Sequence, residues 1–148
     1  MRVVLQHVSR AAVTIDGETV GRIGFGHLLL VAVAATDDEA VLEWMADKVA
    51  NLRVCRDEEG RLNRSLADIG GEFLVVSQFT LYGDCRKGRR PSYVQSAPPE
   101  VAEPRVARFA ALLRERGFTV AEGVFGAHMH VELVNDGPVT LILEREAG

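Results

Sequence analysis

The sequence predicts an α+β fold in which two main helices pack on a largely antiparallel sheet that curls into a partial β-barrel. Strand-like runs are numerous and are joined by hairpin signals such as Asp16-Gly17. Only two segments carry the apolar spacing of a core-facing helix. Strands and helices do not alternate regularly, which argues against a doubly wound parallel sheet.

Residues 3–5 and 11–15 read as strands. Asp16-Gly17 follows, the residue pair favoured where both central positions of a hairpin turn need positive φ, and residues 19–23 form the return strand. Gly24-Phe25-Gly26 turns the chain into a buried strand at 28–35. Thr36-Asp37-Asp38-Glu39 has the form of a capping box, with Thr36 as N-cap and Glu39 reaching back. A helix then runs to about residue 52, with Val41, Trp44, Met45, Val49 and Leu52 on its core side. Residues 53–63 read as a small hairpin, and Gly70-Gly71 leads into a buried strand at 73–76. The second helix spans about 99–116, entered through Pro98-Pro99 and left at Gly117, with Val106, Phe109, Leu112 and Leu113 buried. Pro104 either kinks its first turns or marks its true start. Strand character returns at 118–122, 128–134 and 139–144.

A chain of 148 residues suits one domain, expected to span 1–148, and leaves room for a sizeable core. Its formal net charge of −4 excludes a globally basic nucleic-acid binder. The longest apolar run, residues 28–35, is eight residues, far short of the roughly 20 of a membrane helix. Without a signal-peptide pattern, Cys55 and Cys85 read as reduced thiols of a cytoplasmic protein. Walker A, GxGxxG, HExxH and GxSxG patterns are absent. His128-Met129-His130 offers two imidazoles, which do not make a metal site, so neither metal nor cofactor is expected.

Three segments could carry chemistry. Ser77 and Thr80 place hydroxyls just past a buried strand, as nucleophiles if a base lies nearby, or merely as caps for the strand end. Asn135-Asp136-Gly137-Pro138 puts the least sheet-compatible residues between two strand-like runs. That interruption marks a plain hairpin turn, or a rigid Gly-Pro element presenting carbonyl oxygens that suit an ammonium group. Arg86-Lys87-Gly88-Arg89-Arg90 packs four cations into five residues, either a solvated loop or a phosphate contact.

Taken together, these segments resemble the D-aminoacyl-tRNA deacylase family, also called D-tyrosyl-tRNA deacylases. Its SQxxL motif matches Ser77-Gln78-Phe79-Thr80-Leu81, and its NxGPxT motif matches Asn135-Asp136-Gly137-Pro138-Val139-Thr140. "VVLQHVSRAAVTIDGE", "GGEFLVVSQFTLYGD", "KGRRPSY" and "FGAHMHVELVNDGPVT" are similar to family segments in the expected order, so the likeness covers essentially the whole chain. The resemblance implies a homodimer with active sites at the subunit interface. It implies hydrolysis of the ester joining a D-amino acid, or glycine mischarged on tRNA for alanine, to the terminal adenosine, with L-aminoacyl-tRNA rejected. It implies a cis Gly137-Pro138 peptide inserted into the partner's site as a chiral filter, with Met129, Asn135 and Thr140 also on the substrate side. Ser77, Gln78, Phe79 and Thr80 would form the catalytic pocket, the Phe79 N–H serving as oxyanion donor. Thr80 is regarded in the family as a possible nucleophile, while a second view lets the 2′-hydroxyl of the tRNA activate water; the lack of an evident base beside Thr80 favours the second. By the same likeness Arg86, Lys87, Arg89 and Arg90 would contact the tRNA backbone. Two positions depart from the pattern: His7 stands where arginine is common, making support of the Gly-Pro loop pH-dependent, and His128 stands where an acidic residue is common.

Overall fold

The computed structural model describes all 148 residues, Met1–Gly148. β1 (Arg2–Ile15) is the longest-serving element of the sheet, because three strands pair with it. β2 (Glu18–Ile23) and β3 (Gly26–Ala32) divide one of its edges, β3 taking residues from Arg2 to Val8 and β2 those from Ala11 to Ile15. β8 (His130–Glu144) runs antiparallel along the other edge, from Arg2↔Glu144 to Thr14↔His130. The two strands expected at 3–5 and 11–15 are therefore one. Pairing with β8 carries the sheet through the exposed Ser9 and Arg10, whose polarity suggested a break. The runs expected at 128–134 and 139–144 likewise merge into β8, with the Gly-Pro interruption arched out of the ladder.

The Asp16-Gly17 turn takes φ of 49° and 81°, as a two-residue hairpin requires. Beyond β3 the sheet continues through β6 (Glu72–Ser77) and β7 (Thr119–Glu122), both in parallel joins. The order β2-β1-β3-β6-β7 curls until its ends meet: a Cβ on Gly21 of β2 would lie 2.6 Å from the Glu122 carbonyl oxygen of β7. This nearly closed, barrel-like mixed sheet buries both faces of β3 and β6. Leu28, Leu74 and Val76 fill the inside with Val8, Val13 and Ile23. Leu29, Val31, Phe73 and Val75 face outward into the larger core beneath the helices. Two-sided burial explains why the third and sixth strands read as unbroken apolar runs.

α1 (Glu39–Asn51) and α3 (Pro99–Glu115) cover that outer face. Val41, Met45 and Val49 are buried as their spacing predicts, and so are Val106, Phe109, Leu112 and Leu113. The N-cap of α1 differs from expectation. Asp38, not Thr36, caps it by accepting from Val41 N at 3.0 Å. Asp37 is turned inward to accept from Ala34 N at 2.8 Å and from the Met1 ammonium, while Glu39 pairs with Arg108 of α3 at 2.7 Å instead of reaching back. α3 starts at Pro99 and tolerates Pro104 within it, where the exposed ring removes one amide donor. The expected small hairpin forms from β4 (Cys55–Arg56) and β5 (Leu62–Arg64). A one-turn helix, α2 (Leu66–Ile69), follows under a Ser65/Asp68 capping box that sequence reading did not single out. No helix is long and apolar enough to cross a membrane.

Candidate active site

β6 ends at Ser77 against the end of β3, where Gln78 N donates to Val31 O at 2.7 Å. The chain then tightens into a 3₁₀ turn, Phe79–Tyr82. Its first bond runs from Leu81 N to Gln78 O at 3.1 Å. The Phe79 and Thr80 N–H groups precede that bond and have no partner within the turn. Gln78 Nε2 donates to Thr80 Oγ1, fixing both side chains.

This corner forms one wall of a cleft of about 600 Å³. Ser77, Gln78 and Phe79 line it, facing Tyr93, Pro98, Phe125 and Met129. Phe79 is 53 % exposed, and its ring meets Tyr93 edge-on with centroids 5.1 Å apart, leaving an aromatic face open at the rim. Met129 packs against Gly123, where a Cβ would lie 2.7 Å from its sulfur, so a larger residue there would make the methionine side chain shift. Thr80 is exposed and joins the cleft through Gln78 rather than by lining it. No histidine, lysine or carboxylate hydrogen bonds to the Thr80 hydroxyl.

The second motif lies elsewhere on the chain. Neither Gly137 nor Pro138 lines this cleft. Between the pairs Gln6↔Thr140 and Val8↔Asn135, residues 136–139 of β8 arch out opposite the single residue His7. The Gly137-Pro138 peptide is cis, and Gly137 adopts φ 126°, a conformation that requires glycine. Asn135 and Thr140 clamp the base of the arch. Of the two amide orientations of Asn135, one satisfies both ends of the amide: its nitrogen donates to His7 O at 2.9 Å and Val139 O at 3.1 Å, and its oxygen accepts from Thr140 Oγ1 at 3.0 Å. The opposite orientation offers Oδ1 only a 3.4 Å contact from Val139 N, so the first is preferred.

His7 supports the arch through its carbonyl. Its imidazole points inward, with Nδ1 3.2 Å from His27 Nδ1 and its ring edge-on to Phe25. Burial pushes the His7 imidazole down from its ordinary value, against the opposing pull of the Asp136 carboxylate. His27 is fully buried; desolvation, then the neighbouring His7, lowers it to about 3. Its Nε2 has no hydrogen-bond partner, a deficit that typically costs about 1–3 kcal/mol. A ligand atom from each of His7, His27 and the buried Cys55 lies within 4.8 Å of the others. His27 was not singled out in the sequence because it sits in an apolar strand run, and Cys55 was read only as a reduced thiol, with nothing in its neighbours Arg53 to Asp57 to link it to a histidine.

The basic loop is closed by an antiparallel bridge between Asp84 and Ser92, one residue before Tyr93 of the cleft. Arg86 is already engaged: its guanidinium grips Asp84 at 2.9 and 2.6 Å and holds that carboxyl down at about 2. Lys87, Arg89 and Arg90 are exposed and form no ion pair, so the loop carries three free cations rather than four.

Residues 4–144 match the family described as D-Tyr-tRNA(Tyr) deacylase. The chain belongs to that family. It is 61% identical over 144 residues to the "D-aminoacyl-tRNA deacylase" of Thermomicrobium roseum, covering 97% of this chain and 94% of the relative. Among solved structures, a "c-Myc DNA Unwinding Element Binding Protein" superposes with a TM-score of 0.93 at 40% identity, over 99% of this chain and 100% of that one. A "probable eukaryotic D-amino acid tRNA deacylase" shares the fold, with a TM-score of 0.81 at 20% identity over 96% and 97% of the two chains.

Proposed function

We propose that the chain, a D-aminoacyl-tRNA deacylase by family, removes D-amino acids and glycine mischarged on tRNA for alanine, and spares L-aminoacyl-tRNA. The observation that carries the reading is the cleft corner, where two N–H groups open a 3₁₀ turn beside a fixed Gln78 and a free aromatic face. Water adds to the ester carbonyl carbon, and the oxyanion is held by the Phe79 N–H. The intermediate collapses with release of the ribose oxygen, which takes a proton, leaving free amino acid and tRNA. The substrate's own 2′-hydroxyl activates the water, because no protein base contacts the Thr80 hydroxyl. Ser77 and Gln78 shape the pocket, and Met129 closes its floor.

Selectivity comes from Gly137 and Pro138 acting in a second copy's cleft. Their carbonyl oxygens receive the α-ammonium group and leave no room for an L side chain; glycine, having none, passes. Support for a dimer comes from β8: it pairs only with β1, so its outer edge is open, and Ile142 on it is 74 % exposed. A long open edge with apolar side chains favours association. Lys87, Arg89 and Arg90 contact the tRNA backbone, and the enzyme works in the cytoplasm.

The deciding experiment compares D-Tyr-tRNA with L-Tyr-tRNA against buffer alone. Loss of the D ester with the L ester spared is the expected result. Cleavage of both would leave a deacylase but remove the Gly-Pro filter. Cleavage of neither, with tRNA still bound, would favour a second reading, a binding protein without catalysis, as the name of the 40%-identical solved structure suggests for that protein.

A further inference from the structure

The His7, His27 and Cys55 cluster has no part in the reaction above. Three separate strands, β1, β3 and β4, bring these side chains together, all of them buried. Ligand atoms bonded tetrahedrally to one zinc-sized ion stand about 3.3–3.8 Å apart, given bonds of about 2.0–2.3 Å. The cluster's atoms lie within 4.8 Å of one another, so closure needs side-chain shifts of about 1 Å at most. The unpartnered Nε2 of His27 is the independent sign of a missing ligand. In either tautomer His27 can share only Nδ1 with Gly26 O and His7, so Nε2 stays unsatisfied unless something else binds there.

We propose that His7, His27 and Cys55 bind a single soft closed-shell cation, zinc(II) or copper(I). Two neutral imidazoles and a thiolate form a ligand set suited to such ions, whereas magnesium and calcium demand oxygen donors that the cluster lacks. Binding displaces the thiol proton, and the ligand set then carries one negative charge. Copper(I) leaves the buried site neutral. Zinc leaves one positive charge, offset by the Asp136 carboxylate beside His7 and the Asp68 carboxylate beside Cys55. Through His7 the ion would tie the core to the base of the Gly137-Pro138 arch.

The test adds zinc(II) or copper(I), each alone, to chelator-treated full-length protein and measures bound metal and melting temperature. One equivalent retained after desalting, with a raised melting temperature, is expected for the native sequence, for Cys85→Ser and for His128→Asn/His130→Asn. Both effects are expected to vanish in Cys55→Ala and His27→Phe. Cobalt(II) added to the native protein is expected to give a thiolate-to-metal absorption band, a readout independent of whether the variants fold. Absence of stoichiometric binding by either ion, or binding that survives Cys55→Ala, would overturn the proposal. Loss of binding in the His128/His130 variant alone would assign the metal to that surface pair and overturn it too. Deacylation is not the readout, so failure here is separable from failure of the proposed reaction.

Discussion

The Asn135 amide offers a test of how the arch is held, because two substitutions of similar size should act in opposite order depending on its orientation. With the nitrogen toward His7 O and Val139 O, at 2.9 and 3.1 Å, Asn135→Ala removes two donated bonds and one accepted from Thr140. Each net bond contributes about 1 kcal/mol, and the half-exposed site lets water replace part of it, so local opening should become easier by about 1–2 kcal/mol. That corresponds to a rise of about 5- to 30-fold in the open population. Asn135→Asp should be worse. A carboxylate cannot donate, and it would face two carbonyl oxygens at hydrogen-bond distance, adding at least about 1 kcal/mol of repulsion and desolvation. In the opposite orientation asparagine accepts from Val139 N and donates to Thr140 Oγ1; aspartate would keep the first contact and accept the Thr140 hydroxyl in place of the second, and Asn135→Asp would be nearly silent. Native-state amide hydrogen exchange at Thr140, in register with Gln6, reads the opening, and kcat/KM on D-Tyr-tRNA reads its consequence. Protection in the order native, alanine, aspartate is expected. An aspartate variant as protected as the native protein would refute the assigned orientation and the clamp built on it.

Four further outcomes follow from the geometry. Thr80→Ala should keep substantial deacylation in single-turnover assays; a total loss with fold intact would instead make Thr80 the nucleophile. Replacing Lys87, Arg89 and Arg90 together by glutamine should lower the slope of log affinity for tRNA against log salt by about 2, at about 0.7–0.9 per phosphate contact, whereas Arg86→Gln should leave it nearly unchanged because Asp84 already holds that charge. Gly26→Ala should prevent folding, since its Cβ would lie 1.8 Å from Glu72 O in the parallel β3–β6 join; a soluble variant with a native melting curve would contradict that packing. Ser65→Ala should cost about 1 kcal/mol in urea denaturation through loss of the α2 cap, and no change would mean the cap is idle.

Local features were legible wherever a residue's role depends on its neighbours in sequence. The stripes of α1 and α3, the Asp16-Gly17 turn and the strand leading into Ser77 all have their causes within a few residues. What sequence did not reveal depends on distant partners. Asp37 is drawn from the expected capping box by the Met1 ammonium, 36 positions away. β1 runs unbroken through Ser9 and Arg10 because β8 lies along it. The motif corner at 77–80 was readable, but that Tyr93, Pro98 and Phe125 form the opposing cleft wall depends on the fold, because they are distant from the corner in sequence. The histidine pair that attracted attention, His128 and His130, is exposed, whereas the clustered pair is His7 and His27, separated by 20 positions and joined only by the β1–β3 register.

That register also explains why one residue can bear on both the core and the arch. β8 spends four residues where β1 spends one, so three extra residues must leave the sheet. An ordinary bulge accommodates a single extra residue within the ladder. Here the backbone of residues 136–138 is forced outward into solvent, while Val139 returns at 8 % exposure to anchor the far end in the main core. The lone residue opposite must satisfy what the ladder no longer can, and His7 does so with its carbonyl through Asn135. Its side chain is thereby directed inward onto His27, beside Cys55. A displacement of the buried cluster therefore moves the support of the arch before it moves anything in the cleft, which is built from β6 and the segments after it. Substitutions at His27 or Cys55 that leave the protein folded should accordingly alter discrimination between D and L esters more than the rate on the D ester, and equal losses in both would show that the two regions are not mechanically separate.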